Sequence, residues 1–126
     1  MSRIVYNKLV RDHIPQIIAE AGKLHETETA SEDEYRSLLL DKLQEEVAEL
    51  AAGNNLVEEL ADIYEVLDAI VVAFELSPES IAALQTKKRA ERGGFQERIK
   101  LLWVYDKRGQ PLTFIFYAAL AGEVFQ

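Results

Sequence analysis

Six carboxylates flank one short turn: Glu45, Glu46 and Glu49 in LQEEVAEL before it, and Glu58, Glu59 and Asp62 in VEELADI after it. With Gly53-Asn54-Asn55 as the turn of an αα-hairpin, Glu49 and Glu59 each stand five residues from Asn54, and Glu46 and Asp62 each stand eight. Antiparallel helices rise at equal rates, so these four side chains reach two matching heights. Within each helix the spacing is i, i+3, which puts both members of a pair on one face. Carboxylates that converge repel one another unless a cation joins them, and hard oxygen ligands select Mg²⁺ or Mn²⁺. Glu46, Glu49, Glu59 and Asp62 are therefore the candidate metal ligands.

The competing reading is a solvated acidic face, the usual fate of Glu on an amphipathic helix. The segment LVEELADIYEVLDAIVVAF, residues 56–74, argues against it, because it is apolar around most of a helical circumference and so predicts a buried helix. Glu59 and Asp62 sit amid that surface, where a carboxylate needs a compensating partner. Glu65 and Asp68 lie further round and fit the solvated reading.

The elements that must position these groups follow from local signals. Residues 1–13 read as irregular, and a first helix opens at Pro15 and closes at Gly22. Residues 23–30 alternate weakly, as a loop or short edge strand. Ser31 and Glu34 form an S-x-x-E capping box that opens a helix over about 32–52, with Leu39, Leu40, Leu43, Val47 and Leu50 facing inward. Asn55 with Glu58 caps the next helix similarly, which makes Glu58 structural and leaves Glu59 for chemistry. Ser77-Pro78 starts a fourth helix and Gly93-Gly94 stop it. On that helix Ile81, Leu84, Lys88 and Arg92 form one stripe, so the two cations continue an apolar face, whereas Lys87 and Arg89 fall off it. The segments IKLLWVYD and PLTFIFYAAL, joined by KRGQ, predict a β-hairpin. The expected fold is thus all-α: a four-helix bundle-type core over residues 1–98 with a C-terminal β-hairpin appendage over 99–120, in a single domain of 126 residues.

Composition narrows the function. No cysteine is present, which excludes disulfides, zinc-thiolate sites and a thiol nucleophile. The longest apolar runs fall short of the roughly 20 residues of a membrane span, and the charged N-terminal sequence lacks the pattern of a signal peptide, so a cytoplasmic protein is expected. Net charge is −8, with 14 of 22 acids in residues 26–68 and 6 of 14 bases in residues 87–100. An acidic chain with one compact basic segment suits a small metal-bound polyphosphate rather than duplex nucleic acid. A helical chain this short, with one helix apolar nearly all round, is expected to assemble as a homodimer or larger.

Glu46-Val-Ala-Glu49 followed by Glu59-Leu-Ala-Asp62 resembles the E-x-x-E and E-x-x-D pairs of the MazG-like all-α nucleoside triphosphate pyrophosphohydrolases. The flanking segments 6–12 (YNKLVRD) and 87–95 (KKRAERGGF) resemble the phosphoribosyl-ATP pyrophosphohydrolase-like branch of that superfamily. The resemblance runs from about residue 5 to residue 100; the hairpin lies outside it, and the interval from Glu49 to Glu59 is shorter than in many MazG-like enzymes. It implies hydrolysis between the α and β phosphates of a nucleotide, giving a monophosphate and pyrophosphate. Glu46, Glu49, Glu59 and Asp62 would then hold Mg²⁺, with Mn²⁺ as a substitute, and Glu45 beside them is a candidate for orienting the attacking water. Lys88 and Arg92 would bind the outer phosphates. Asn7, Lys8, Arg11 and Asp12 approach the phosphate or base, or Arg11 and Asp12 instead tie the first helix to the bundle. Two alternatives stand beside this reading: a non-catalytic helical metal-binding or assembly module, and a hydrolase of another pyrophosphate-linked metabolite.

Overall fold

A computed structural model describes residues 2–53 and 55–105. Among these residues four helices follow in chain order: α1 (Ile14–Glu20), α2 (Glu32–Ala52), α3 (Leu56–Ala73) and α4 (Pro78–Arg92). No strand occurs among the described residues, and none of their helices is long and apolar enough to cross a membrane. Residues 23–30 form a loop without helix or strand.

Each helix starts where its sequence signal stands. Pro15 occupies the first turn of α1, where its missing N–H costs nothing. Ser31 Oγ accepts the backbone N–H of Glu34 at 3.2 Å, and Asn55 Oδ1 accepts that of Glu58 at 3.1 Å. Ser77 Oγ accepts the Ser80 N–H at 3.1 Å. Each bond satisfies one of the backbone donors that a helix start leaves unpaired. Gly53 ends α2 at φ 77°, a left-handed conformation that costs glycine nothing and reverses the chain within a few residues.

The hairpin of α2 and α3 is the organising unit. At its far end the Arg36 side chain of α2 donates from Nε to the carbonyl of Ala73 at 2.9 Å, and its guanidinium lies 5.5 Å from the centre of the Phe74 ring. Arg36 and Ala73 stand 18 and 19 residues from position 54, so the mirrored register expected near the turn persists along the whole pair. The bond also satisfies a carbonyl at the α3 C-terminus, where a cation is favoured by the helix dipole.

Among the described residues three side chains are buried: Leu39, Val66 and, unusually, the carboxylate of Glu46. This corrects three expectations. Along α3 only Val66 is buried, while Leu56, Val57, Leu60, Tyr64, Leu67 and Val72 are exposed, so α3 is not a buried helix within one copy of the chain. One antiparallel neighbour covers one side of a helix, and an all-round apolar helix needs cover on several. On α2, Leu39 is buried and Leu43 and Leu50 are half-buried, but Leu40 and Val47 are exposed. Helix α4 has no buried residue, so the stripe of Ile81, Leu84, Lys88 and Arg92 is exposed rather than inward.

The chain divides into two units, Met1–Gln85 and Thr86–Gln126. Residues 99–105, the expected first strand, are neither helix nor strand; a strand exists only through its ladder, and no partner strand is present among the described residues. The remainder of the expected hairpin, from residue 106 onward, lies outside them.

Candidate metal centre

Glu46 and Glu49 project from the last two turns of α2, and Glu59 from the first turn of α3. One carboxylate oxygen of each lies within 4.8 Å of the other two. The helix dipoles treat these groups differently: Glu59 is favoured at a helix N-terminus, whereas Glu46 and Glu49 are disfavoured near a C-terminus. The arrangement is thus locally unfavourable to α2, a cost that a cation would offset.

Glu46 is the central member. Only 6 % of it is exposed, and its Oε2 has no hydrogen-bond partner, as is also true of Glu59 Oε2. Burial pushes the Glu46 carboxyl above its usual range, and the charges of Glu49 and Asp62 push it further while Lys42 opposes them. Glu59 is raised in the same direction, first by loss of solvent around its carboxyl and then by Glu49, Asp62 and Glu46. Orphaned buried oxygens and mutual repulsion among hard donors are what a divalent cation of the Mg²⁺ or Mn²⁺ type relieves, so the residues present fit such an ion.

Asp62, expected as the fourth ligand, takes another partner. Arg11 Nη2 donates to Asp62 Oδ1 at 2.8 Å, and Asp62 is not one of the three carboxylates that converge within 4.8 Å. Glu45 is also engaged: Lys8 Nζ donates to its Oε1 at 2.7 Å and Lys42 Nζ to its Oε2 at 3.3 Å. The Lys8 bond holds the Glu45 carboxyl below its usual range, and Glu45 in turn raises the Lys8 ammonium. Glu45 therefore stays ionised where Glu46, the next residue, resists ionisation.

Lys42 was missed by the sequence reading. Its ammonium lies 3.3 Å from Glu45 and 3.4 Å from Glu46, at the i, i+3 and i, i+4 spacings that a helix brings together, so the signal was present in the sequence. Lys8 and also Arg11, for which two roles were open, reach carboxylates of the α2–α3 hairpin. Asn7, at φ 45°, turns the chain in a left-handed conformation just before them. Glu58 contributes its backbone N–H to the Asn55 cap and is not among the converging carboxylates. Lys88 and Arg92 lie exposed in the last turns of α4, in the second unit.

A pH dependence follows from the raised and lowered carboxyls. A group with a raised folded-state pKa contributes stability that is present below its unfolded pKa, about 4.5 here, and is lost as pH rises through the folded value. Ionised Glu46 thus weakens the cation-free fold at neutral pH. In chelator, Glu46→Gln should melt at a higher temperature than wild type at about pH 7, with the advantage shrinking toward about pH 4. Glu45, with its lowered pKa, has the opposite sign: its contribution is present at neutral pH and lost on acidification, so Glu45→Gln should lower the neutral-pH melting temperature. Thermal melts of the two variants that shift in the same direction would contradict this assignment.

No family model matches the sequence, and no solved structure matches it. An uncharacterized protein of Mycolicibacterium smegmatis (strain ATCC 700084 / mc(2)155) is 49% identical over 47 residues, which are 37% of this chain and 48% of that protein. The chain therefore spans about half the length of the relative it matches.

Proposed function

We propose that the chain is a cytoplasmic, Mg²⁺-dependent nucleotide pyrophosphohydrolase of the MazG-like type. It would cleave between the α and β phosphates and release a monophosphate and pyrophosphate. The observation that carries this reading is the convergence of Glu46, Glu49 and Glu59, two of which, Glu46 and Glu59, keep a buried Oε2 without a hydrogen-bond partner. Mg²⁺ held there would supply Lewis-acid stabilisation of phosphate oxygens and acidify a bound water.

The chain's own groups do the rest. Glu45, kept ionised by Lys8 and Lys42, is the proposed hydrogen-bond acceptor that orients an attacking water. Lys8 and Arg11 at the edge of the site are the proposed phosphate contacts; Arg11 offers the planar fork that grips phosphate at two points. The cleft lined by Asn7, Lys8, Leu9, Leu38, Asp41, Lys42 and Glu45 has a volume of about 60 Å³, far below the roughly 300–1,000 Å³ of small-molecule sites. A nucleotide therefore needs further walls, which we assign to a second copy of the chain completing a helical bundle over the exposed face of α3.

The small cleft also favours a second reading, a helical module that binds a metal without catalysis. Incubation with a panel of nucleoside triphosphates and phosphoribosyl nucleotides in Mg²⁺, scored for pyrophosphate against orthophosphate, separates the two. Pyrophosphate as the product is the expected result. Mg²⁺ binding without turnover of any substrate would establish the non-catalytic module instead.

A further inference from the structure

Two cations three residues apart, Lys8 and Arg11, leave a segment with neither helix nor strand and reach one helix each of the acidic hairpin: Lys8 to Glu45 on α2 at 2.7 Å, Arg11 to Asp62 on α3 at 2.8 Å. Asp62 follows Glu59 by three residues on α3, the spacing that puts both on one face. Its charge acts on both Glu46 and Glu59, so it stands beside the converging carboxylates while its own charge is offset by Arg11. Glu46, nine-tenths buried, keeps its Oε2 without a hydrogen-bond partner while Lys42 lies 3.4 Å from its Oε1.

We propose that Arg11 is a built-in counter-ion of this site and competes with the divalent cation for Asp62. The inference rests on the metal-site reading above and adds what regulates it. With the guanidinium in place, an arriving cation meets three carboxylates and a positive neighbour. With it displaced, the cation meets four carboxylates. The Arg11 side chain is 57% exposed and that of Asp62 31%, and ion pairs so exposed are weak and easily exchanged. A divalent ion bonded by hard oxygens is the stronger partner. Lys8, paired with Glu45, anchors the same segment on the other helix, so the exchange releases Arg11 without releasing the segment. The freed guanidinium is then available to a phosphate anion.

The test is Mn²⁺ titration of the full chain, followed by calorimetry and by the loss of the free-ion paramagnetic signal, with helical content checked by circular dichroism. Arg11→Gln should bind Mn²⁺ about fivefold more tightly than wild type, the upper range for removing an exposed competing ion pair. A merely structural tie would give the opposite sign, because loosening the segment weakens the site. Asp62→Asn should cost about fivefold more affinity in the Arg11→Gln background than in wild type. Arg11→Lys, which keeps the charge and loses the planar fork, should tighten binding to a smaller degree and serves if Arg11→Gln fails to fold. Wild type that binds Mn²⁺, with Arg11→Gln and Arg11→Lys equal to it or weaker, overturns the counter-ion role and leaves the metal site standing. Wild type that binds no Mn²⁺ overturns the site reading and this inference with it.

Discussion

Glu49→Gln is expected to lower Mn²⁺ affinity by about a hundredfold and to reduce Mg²⁺-dependent pyrophosphate release at least as much. Glu49 is one of three carboxylates whose oxygens lie within 4.8 Å of one another, and the amide keeps its size while removing its charge. Loss of even an outer-shell partner of a bound metal costs about 10–100-fold, so a direct ligand belongs at or above the top of that range. The variant also removes a main cause of the raised Glu46 and Glu59 carboxyls, so the cation-free fold should gain stability as the loaded form loses affinity. Glu58→Gln is the control, because Glu58 serves α3 through its backbone N–H; it should leave both affinity and turnover near wild type. Calorimetry on the two variants decides this. Equal Mn²⁺ affinity in Glu49→Gln and wild type would remove the triad as a metal site.

The second large effect concerns self-association. Leu56, Leu60, Tyr64 and Leu67 recur at helical spacing along α3 and are 56, 43, 66 and 42 % exposed. Such a continuous apolar stripe on a helix is the signature of a surface awaiting cover. A two-fold pairing of copies uses each stripe twice, so a substitution acts on both sides of the interface. The double variant Leu60→Glu, Tyr64→Glu therefore alters four side chains per dimer. At about 1 kcal/mol for each partly exposed apolar side chain, the loss is about 4 kcal/mol, or about three orders of magnitude in Kd. Light scattering should give wild type as a dimer or larger at micromolar concentration and the double variant at 14.3 kDa. A wild-type mass of 14.3 kDa under those conditions would contradict the assembly.

Helix boundaries and the hairpin register were determined by the sequence alone, because the signals are local. Ser31, Asn55 and Ser77 cap helices through atoms three residues away, and Gly53 ends α2 through its own backbone freedom. The mirrored placement of acids about the turn needed only the rise of two equal helices, which is why Glu46, Glu49 and Glu59 converge as the spacing implied. Lys42 was within reach of the same reasoning, since its partners are three and four residues away.

What the tertiary structure alone decided is how charge is shared. Arg11 and Asp62 are separated by 51 positions, and Lys8 and Glu45 by 37; no periodicity links residues so far apart, and only the path of the irregular N-terminal segment brings them together. That path withdraws Asp62 from the expected quartet. Burial was equally beyond the sequence. A helical pattern states which faces are apolar, but cover is supplied by whatever packs there. Hence α3, apolar around most of its surface, buries only Val66, while Glu46, on the more polar α2, is buried and becomes the enclosed carboxylate of the site.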